Sequence, residues 1–477
     1  MISFFPKQIA SKAFTIYLAA LAVVSIAYYR YAMQVSFILL GIIEVTGFFF
    51  LSASCTKSWL HVREKVFVRN VFWTALALRV AWVIFSYFFY IHLTGQPFEP
   101  GAADSMGYHG EAEWLRGENW STVWDYYFNR ASYSDSGYGF YLTILYKLVG
   151  TSVLIPRFLK ALYGSIMCLL IYRLTSRSIN EQTGRMAGIF AIFMPNLIIY
   201  SGLHVKEAEM LFLLVAFLER ADYLLRSKHY TFWTVLVPLL LAGSLFFFRS
   251  GLGAVAVFSF VTGLLFTSDR IVGRGKKVAV IVWLALAAVV LAGGTIVNEV
   301  EGYLENRDTN QSAKRMEQTL RGNQWAQYAT GTVMAPLMFV MPFSTMVDVD
   351  GQYNQQIIHG GNYVRNFMGF FVLLALVLVI FVTKEWRDFS LIGSYTIAYL
   401  AVLSMSGFAN SERFLLPALP GLIIMWAYGV THLTGKSYMW MKYWFVVVFL
   451  IQVAWAYFKL GSRGVGQEWC GGFHFGG

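Results

Sequence analysis

Apolar runs of close to twenty residues recur along this chain, separated by short basic or Gly/Pro-containing breaks. That length is what a helix needs to cross about 30 Å of hydrocarbon. The runs predict helices near 13–32, 35–55, 71–93, 154–173, 185–203, 206–226 and 231–248. Further runs predict helices near 251–268, 278–297, 363–383, 388–407, 413–433 and 443–460. The pattern reads as an all-α polytopic membrane protein, because a span surrounded by lipid must satisfy its backbone polar groups internally. About thirteen transmembrane helices are expected on this spacing.

Two polar stretches, roughly 94–153 and 298–362, break the rhythm. The first holds Phe98 to Tyr138, acidic and dense in Trp and Tyr. A loop of about forty residues between apolar helices is either functional or disordered, and this aromatic content argues against a flexible linker. After it, the apolar residues of Gly139 to Lys160 are broken by Lys147, Gly150, Pro156, Arg157 and Lys160, and its first part reads as an amphipathic helix along the interface. The uncharged stretch 327–347, broken by Pro336 and Pro342, is read as a re-entrant or interfacial segment and not as a further span.

Composition narrows the class without changing it. At 57% hydrophobic, 18% aromatic and 13% charged residues, the 477-residue chain is not a water-soluble globule, and no separate soluble domain is expected. The net charge of +11 raises nucleic acid as a partner, but the cations are scattered through short loops, so none is expected. Orientation explains them better. With a cytoplasmic N-terminus, inside segments carry twenty Lys and Arg, and short outside connections carry only Arg30, Lys206, Arg249 and Arg413. Both long polar segments then share the non-cytoplasmic face. Lys7 and Lys12 precede the first run with no small-residue cleavage site after it, which favours an uncleaved first helix. Cys55, Cys168 and Cys470 have neither disulfide nor metal-ligand spacing. Asn119 and Asn310 match the short acceptor pattern for N-glycosylation.

Residues able to carry chemistry gather at the outer helix ends. Asp104 lies about a dozen residues past the third helix, suited to general-base work at the membrane surface or to capping a helix. A helix there places Asp104, Tyr108 and Glu111 on one face, with His109 and Glu113 nearby. Pro195 to Gly202 leads into His204, Lys206, Glu207 and Glu209. Lys206 and Glu207 read either as a phosphate clamp or as an ion pair closing the hairpin. Arg249, Arg365 and Arg413 suit bidentate phosphate binding, against snorkelling as the plain alternative. Within the apolar runs, Glu44 and Arg79 are expected to pair if their depths match. No nucleotide-binding loop, metalloprotease motif or nucleophile elbow is present.

The order of these features resembles the GT-C superfamily of integral membrane glycosyltransferases. The likeness is greatest to the bacterial branch similar to protein O-mannosyltransferases and aminoarabinose transferases, and it covers roughly residues 71–433. The resemblance implies two additional N-terminal helices within 1–70, a catalytic module over 71–433, and a last helix and tail over 434–477. It implies a plasma-membrane enzyme moving a sugar from a polyprenyl-phosphate donor to a lipid, glycan or protein acceptor, with inversion at the sugar. By resemblance Asp104 is catalytic, Glu111 or Glu113 is a possible second carboxylate, and Lys206 and Arg413 are candidates for the donor phosphate. Glu207, Tyr108, His109, Arg249 and Arg365 stand as further candidates for catalysis or substrate binding from their positions in the sequence. Many relatives carry Asp-Glu in this loop where this chain has Asp104-Ser105. Some members use a divalent cation, so one is a candidate cofactor. The alternatives are a polymerase or ligase of lipid-linked glycans and, in another class, a transporter or flippase of lipid-linked sugars.

Overall fold

The computed structural model describes residues 5–130, 136–227, 231–266, 344–349, 353–405 and 412–462. The helices run in order α1 (Lys7–Ala27), α2 (Val35–Trp59), α3 (Glu64–Thr94), α4 (Ala103–Gly117), α5 (Trp120–Asp125), α6 (Ser136–Val149) and α7 (Leu154–Ser178). Next come α8 (Glu181–Phe193), α9 (Pro195–Ile199), α10 (Glu207–Arg226), α11 (Phe232–Phe248) and α12 (Ser250–Phe266). The last are α13 (Tyr353–Ile357), α14 (His359–Val382), α15 (Ser390–Met405), α16 (Glu412–Thr431) and α17 (Gly435–Ser462). The described residues contain no strand beyond a single antiparallel bridge joining Ala32 to Val347.

Among the described residues, seven helices are long and apolar enough to cross a membrane: α1, α2, α3, α7, α14, α16 and α17. The bent pair α8–α9 would make an eighth. That is the coarser form of the thirteen-helix expectation. α11 and α12 reach only 17 residues each, and α10 carries six ionisable residues from Glu207 to Arg226. The expected 278–297 helix, most of 298–362, Asn310 and Cys470 lie outside the described residues.

Contacts at the helix ends define two poles. At one, Arg185 donates to the carbonyls of Trp59 (3.2 Å), Leu60 (3.1 Å) and Val62 (2.5 Å), satisfying the C-terminus of α2. Nearby in the same layer, Arg177 pairs with Asp222 (2.6 Å) and Glu219 (3.0 Å), tying α7 to α10. At the other pole, the α1–α2 turn pairs with residues 347–348, where Asp348 N–H donates to Tyr31 O at 2.7 Å. This pole also gathers α4, α6 and the starts of α7, α10, α14 and α16.

The helix α8–α9 bends by 56° at Met194, which is extended, and Pro195. Pro195 has no N–H for the ladder, so the break is where its ring requires it. The sequence reading of one helix over 185–203 therefore becomes two pieces. α1 and α2 are built into the bundle: Tyr17 OH meets His359 Nε2 at 2.6 Å, and Tyr363 OH donates to Ala13 O.

The expected Glu44–Arg79 pair is not formed. Glu44 Oε2 accepts the Gly361 N–H at 2.8 Å, serving the first turn of α14, where helical N–H groups lack partners of their own. Arg79 donates to Ala191 O (3.2 Å) and Ala75 O (3.3 Å), and Gly164 lets it pass. The two side chains are engaged by different backbones.

Candidate active site

Four of the expected residues meet at one pole. Asp104 lies in the first turn of α4, whose N-cap is Ala102 and makes no side-chain capping bond. The capping reading of Asp104 thus gives way to an ion pair, because its Oδ2 accepts from Arg413 Nη1. Arg413 Nε donates to Glu207 Oε1 at the start of α10, so one guanidinium joins two carboxylates. Arg249 Nη2 stands 4.0 Å from the same Glu207 oxygen, and its guanidinium lies over the Phe414 ring at 4.7 Å. Exposure grades across the group: Asp104 is 58% exposed, Arg413 22% and Glu207 0%. The site therefore opens to solvent at Asp104 and closes toward α10.

Glu207 Oε2 and Arg249 Nη1 are buried without partners. A buried polar atom left unmatched is costly, so a ligand or water meeting these atoms would be favoured. Lys206, at the N-cap of α10, is buried.

Tyr108 and His109 are turned to the inner side of α4. The Tyr108 ring packs edge-on against Tyr138 at 5.0 Å. His109 Nδ1 meets Tyr146 OH at 2.7 Å, and the same hydroxyl meets His204 Nε2 at 3.1 Å. Burial lowers the pKa of both imidazoles, with Glu113 opposing the shift at His109 and Lys160 adding to it at His204. Glu111 lies two turns beyond Asp104, beside Tyr127, whose hydroxyl pKa is raised chiefly by burial. It does not join the Arg413 group.

Arg365 also stands apart from that group. It is buried in the second turn of α14, where Nη1 pairs with Glu412 Oε1 at 2.6 Å. Asn196, next to the α8–α9 break, donates to the same Glu412 oxygen and to Asn362 Oδ1 at 3.2 Å. The neighbours Glu412 and Arg413 thus serve two adjoining polar clusters. Far more of the bundle interior is polar than Glu44 and Arg79 alone led the sequence to suggest.

Several residues here were missed. Arg157 and Lys160, taken from the sequence as interruptions, are fully buried in the first two turns of α7. Lys160 Nζ donates to Tyr138 OH (2.9 Å), Leu203 O (2.9 Å) and Val205 O (2.5 Å), with Glu209 3.6 Å away. Glu99, before α4, accepts from Ser105 Oγ at 2.5 Å. Spacing of three between Arg157 and Lys160 was the available signal, since it places both on one helix face.

Comparison of the chain with known protein families and with curated proteins found no match. Among the described residues, no three His, Cys, Asp or Glu side chains come together to hold a metal ion.

Proposed function

We propose that the protein is an inverting glycosyltransferase of the GT-C type. It moves a sugar from a polyprenyl-phosphate donor to a lipid, glycan or protein acceptor at the outer face of the plasma membrane. The observation that carries this reading is the Arg413 bridge between Asp104 and Glu207, with Arg249 beside it. It supplies a solvent-facing carboxylate and two guanidinium groups at one end of a membrane bundle, the parts a glycosyl phosphate displacement needs.

The donor phosphate takes Arg413 and Arg249, since guanidinium binds phosphate as readily as carboxylate. Its arrival loosens Arg413 from Asp104 and frees that carboxylate as the base. The acceptor O–H gives its proton to Asp104 while its oxygen forms the bond to the anomeric carbon. The bond from that carbon to the phosphate oxygen breaks on the opposite side, and the electron pair leaves on polyprenyl phosphate. Arg413 and Arg249 stabilise the charge that develops there.

The test is transfer from labelled polyprenyl-phosphate sugars by the purified full chain, with a membrane extract as acceptor source. Asp104→Asn is expected to abolish transfer and retain donor binding. Undiminished transfer by the variant would refute Asp104 as the base and favour a polymerase-type site. A second reading, a carrier of lipid-linked sugars, draws on the buried cluster of Asn196, Asn362, Arg365 and Glu412. Movement of the same lipids across vesicles without sugar transfer would favour it.

A further inference from the structure

We propose that Arg157, His204 and Glu99 form a subsite for the hydroxyl groups of the sugar being transferred, beneath the first turn of α4. The proposal rests on the glycosyltransferase reading and assigns the part of the donor that Arg413 and Arg249 do not hold.

All three side chains are buried, and each keeps a polar atom without a partner. Arg157 is fully buried; Nη2 donates to Pro97 O at 2.5 Å, while Nε and Nη1 have no partner. Glu99, 5% exposed, uses Oε1 for Ser105 and leaves Oε2 unmatched. His204 uses Nε2 for Tyr146 and leaves Nδ1 unmatched. Tyr146 has one proton to share between two imidazoles. Whichever way it donates, His204 Nδ1 still needs either an acceptor or a donor.

The chemistry of these atoms selects the ligand. Glu99 and Arg157 are within electrostatic reach, yet each keeps atoms unmatched. Two donors, one acceptor and one atom of either role suit a neutral group that both gives and receives hydrogen bonds. A phosphate would satisfy Arg157 but oppose Glu99. Sugar hydroxyls serve both, because each donates one hydrogen bond and accepts others. The surroundings are aromatic: the Phe98 ring lies 5.9 Å from His204, and Tyr138 lies 6.1 Å from it. Lys160 is already matched by three oxygens, so it positions Tyr138 and the 203–205 turn. Ser105 follows Asp104, so the subsite adjoins the proposed base.

The experiment compares binding of polyprenyl phosphate with that of its hexosyl, N-acetylhexosaminyl and pentosyl forms to the full chain in lipid nanodiscs. Glu99→Gln and His204→Phe are the variants, with thermal unfolding to confirm their fold. Wild type is expected to bind one glycosylated form at least tenfold more tightly than the sugarless lipid. Each variant should lose that preference and hold sugarless lipid within twofold of wild type. Arg413→Gln should instead weaken both lipids together. If wild type binds glycosylated and sugarless lipids equally, or the variants keep the preference, the subsite is overturned and water fills these atoms, while the Arg413 effect leaves the parent reading standing. If wild type binds none of these lipids, the parent reading falls and takes the subsite with it. A variant that fails to fold is replaced by Arg157→Lys, read by the same ratio.

Discussion

Arg413 reaches Asp104 across 309 residues of chain and holds Glu207 with another nitrogen of the same guanidinium. A planar fork bridges two carboxylates in this way, and the point charge of a lysine does not. Arg413→Lys is therefore expected to lower kcat/KM for the donor by at least about tenfold, since charge-assisted bidentate contacts contribute roughly 1.5–3 kcal/mol. Steady-state kinetics with the polyprenyl donor measure it. Unchanged kinetics would show that the bridge is a structural tie only.

The imidazoles of His109 and His204 give a pH dependence of known sign. Burial lowers the pKa of both in the fold, so each is protonated more easily once the chain unfolds. Below the ordinary histidine value of about 6.5, the unfolded state binds more protons, and stability is lost as pH falls toward the folded pKa values. Thermal unfolding in nanodiscs should show a lower midpoint at about pH 5.5 than at about pH 7.5. The double variant His109→Gln, His204→Gln should flatten that slope, even with a lower midpoint throughout. An unaltered slope would assign the acid sensitivity to other groups.

Arg365 and Glu412 form a buried ion pair, 1% and 7% exposed, and such pairs are more costly to halve than to remove. Arg365→Met strands Glu412 among apolar helices and should destabilise the fold by roughly 3–5 kcal/mol. Adding Glu412→Gln should recover much of the loss, because the amide keeps a partner for Asn196 without a charge. Unfolding midpoints of the single and double variants decide it. A double variant no better than the single would mean that the pair holds α14 to α16 by geometry beyond charge balance.

How much of this was legible follows from what each signal measures. Apolar periodicity located the helices, since lipid and core burial both act on local composition, and α7 begins at Leu154 as expected. Among the described residues the same signal reads α11 and α10 alike, although α11 is 17 residues long and α10 carries charged residues at both ends. Asp104, Glu207, Arg249 and Arg413 were legible as ionisable residues at the ends of apolar runs. Their meeting depends on helix packing between distant segments, which no local pattern carries. Arg157 and Lys160 were missed for a related reason: a cation inside a helix looks like a break until its buried acceptors are known. Glu99 was missed because it sits in the turn before α4, where no periodic pattern marks a carboxylate as buried. Glu44 was expected to pair with Arg79, but both satisfied backbone groups instead.

Glu44 supplies the last prediction. Its carboxylate accepts the Gly361 N–H at 2.8 Å, where the first turn of α14 meets α2. Helix N-termini carry unmatched N–H groups and partial positive charge, so a carboxylate from a neighbouring helix serves as their cap. Glu44→Gln retains an acceptor oxygen and should cost little. Glu44→Leu leaves the buried N–H groups unmatched, a loss of about 1–3 kcal/mol. Gly360→Ala should act at the same contact from the other side, because a Cβ there would run into Glu44 Oε2 and the Gly41 backbone. Thermal unfolding of the three variants checks the order, with Glu44→Gln nearest wild type. If Glu44→Leu were as stable as Glu44→Gln, the carboxylate would have another reason to be buried, and the carrier reading would gain from it.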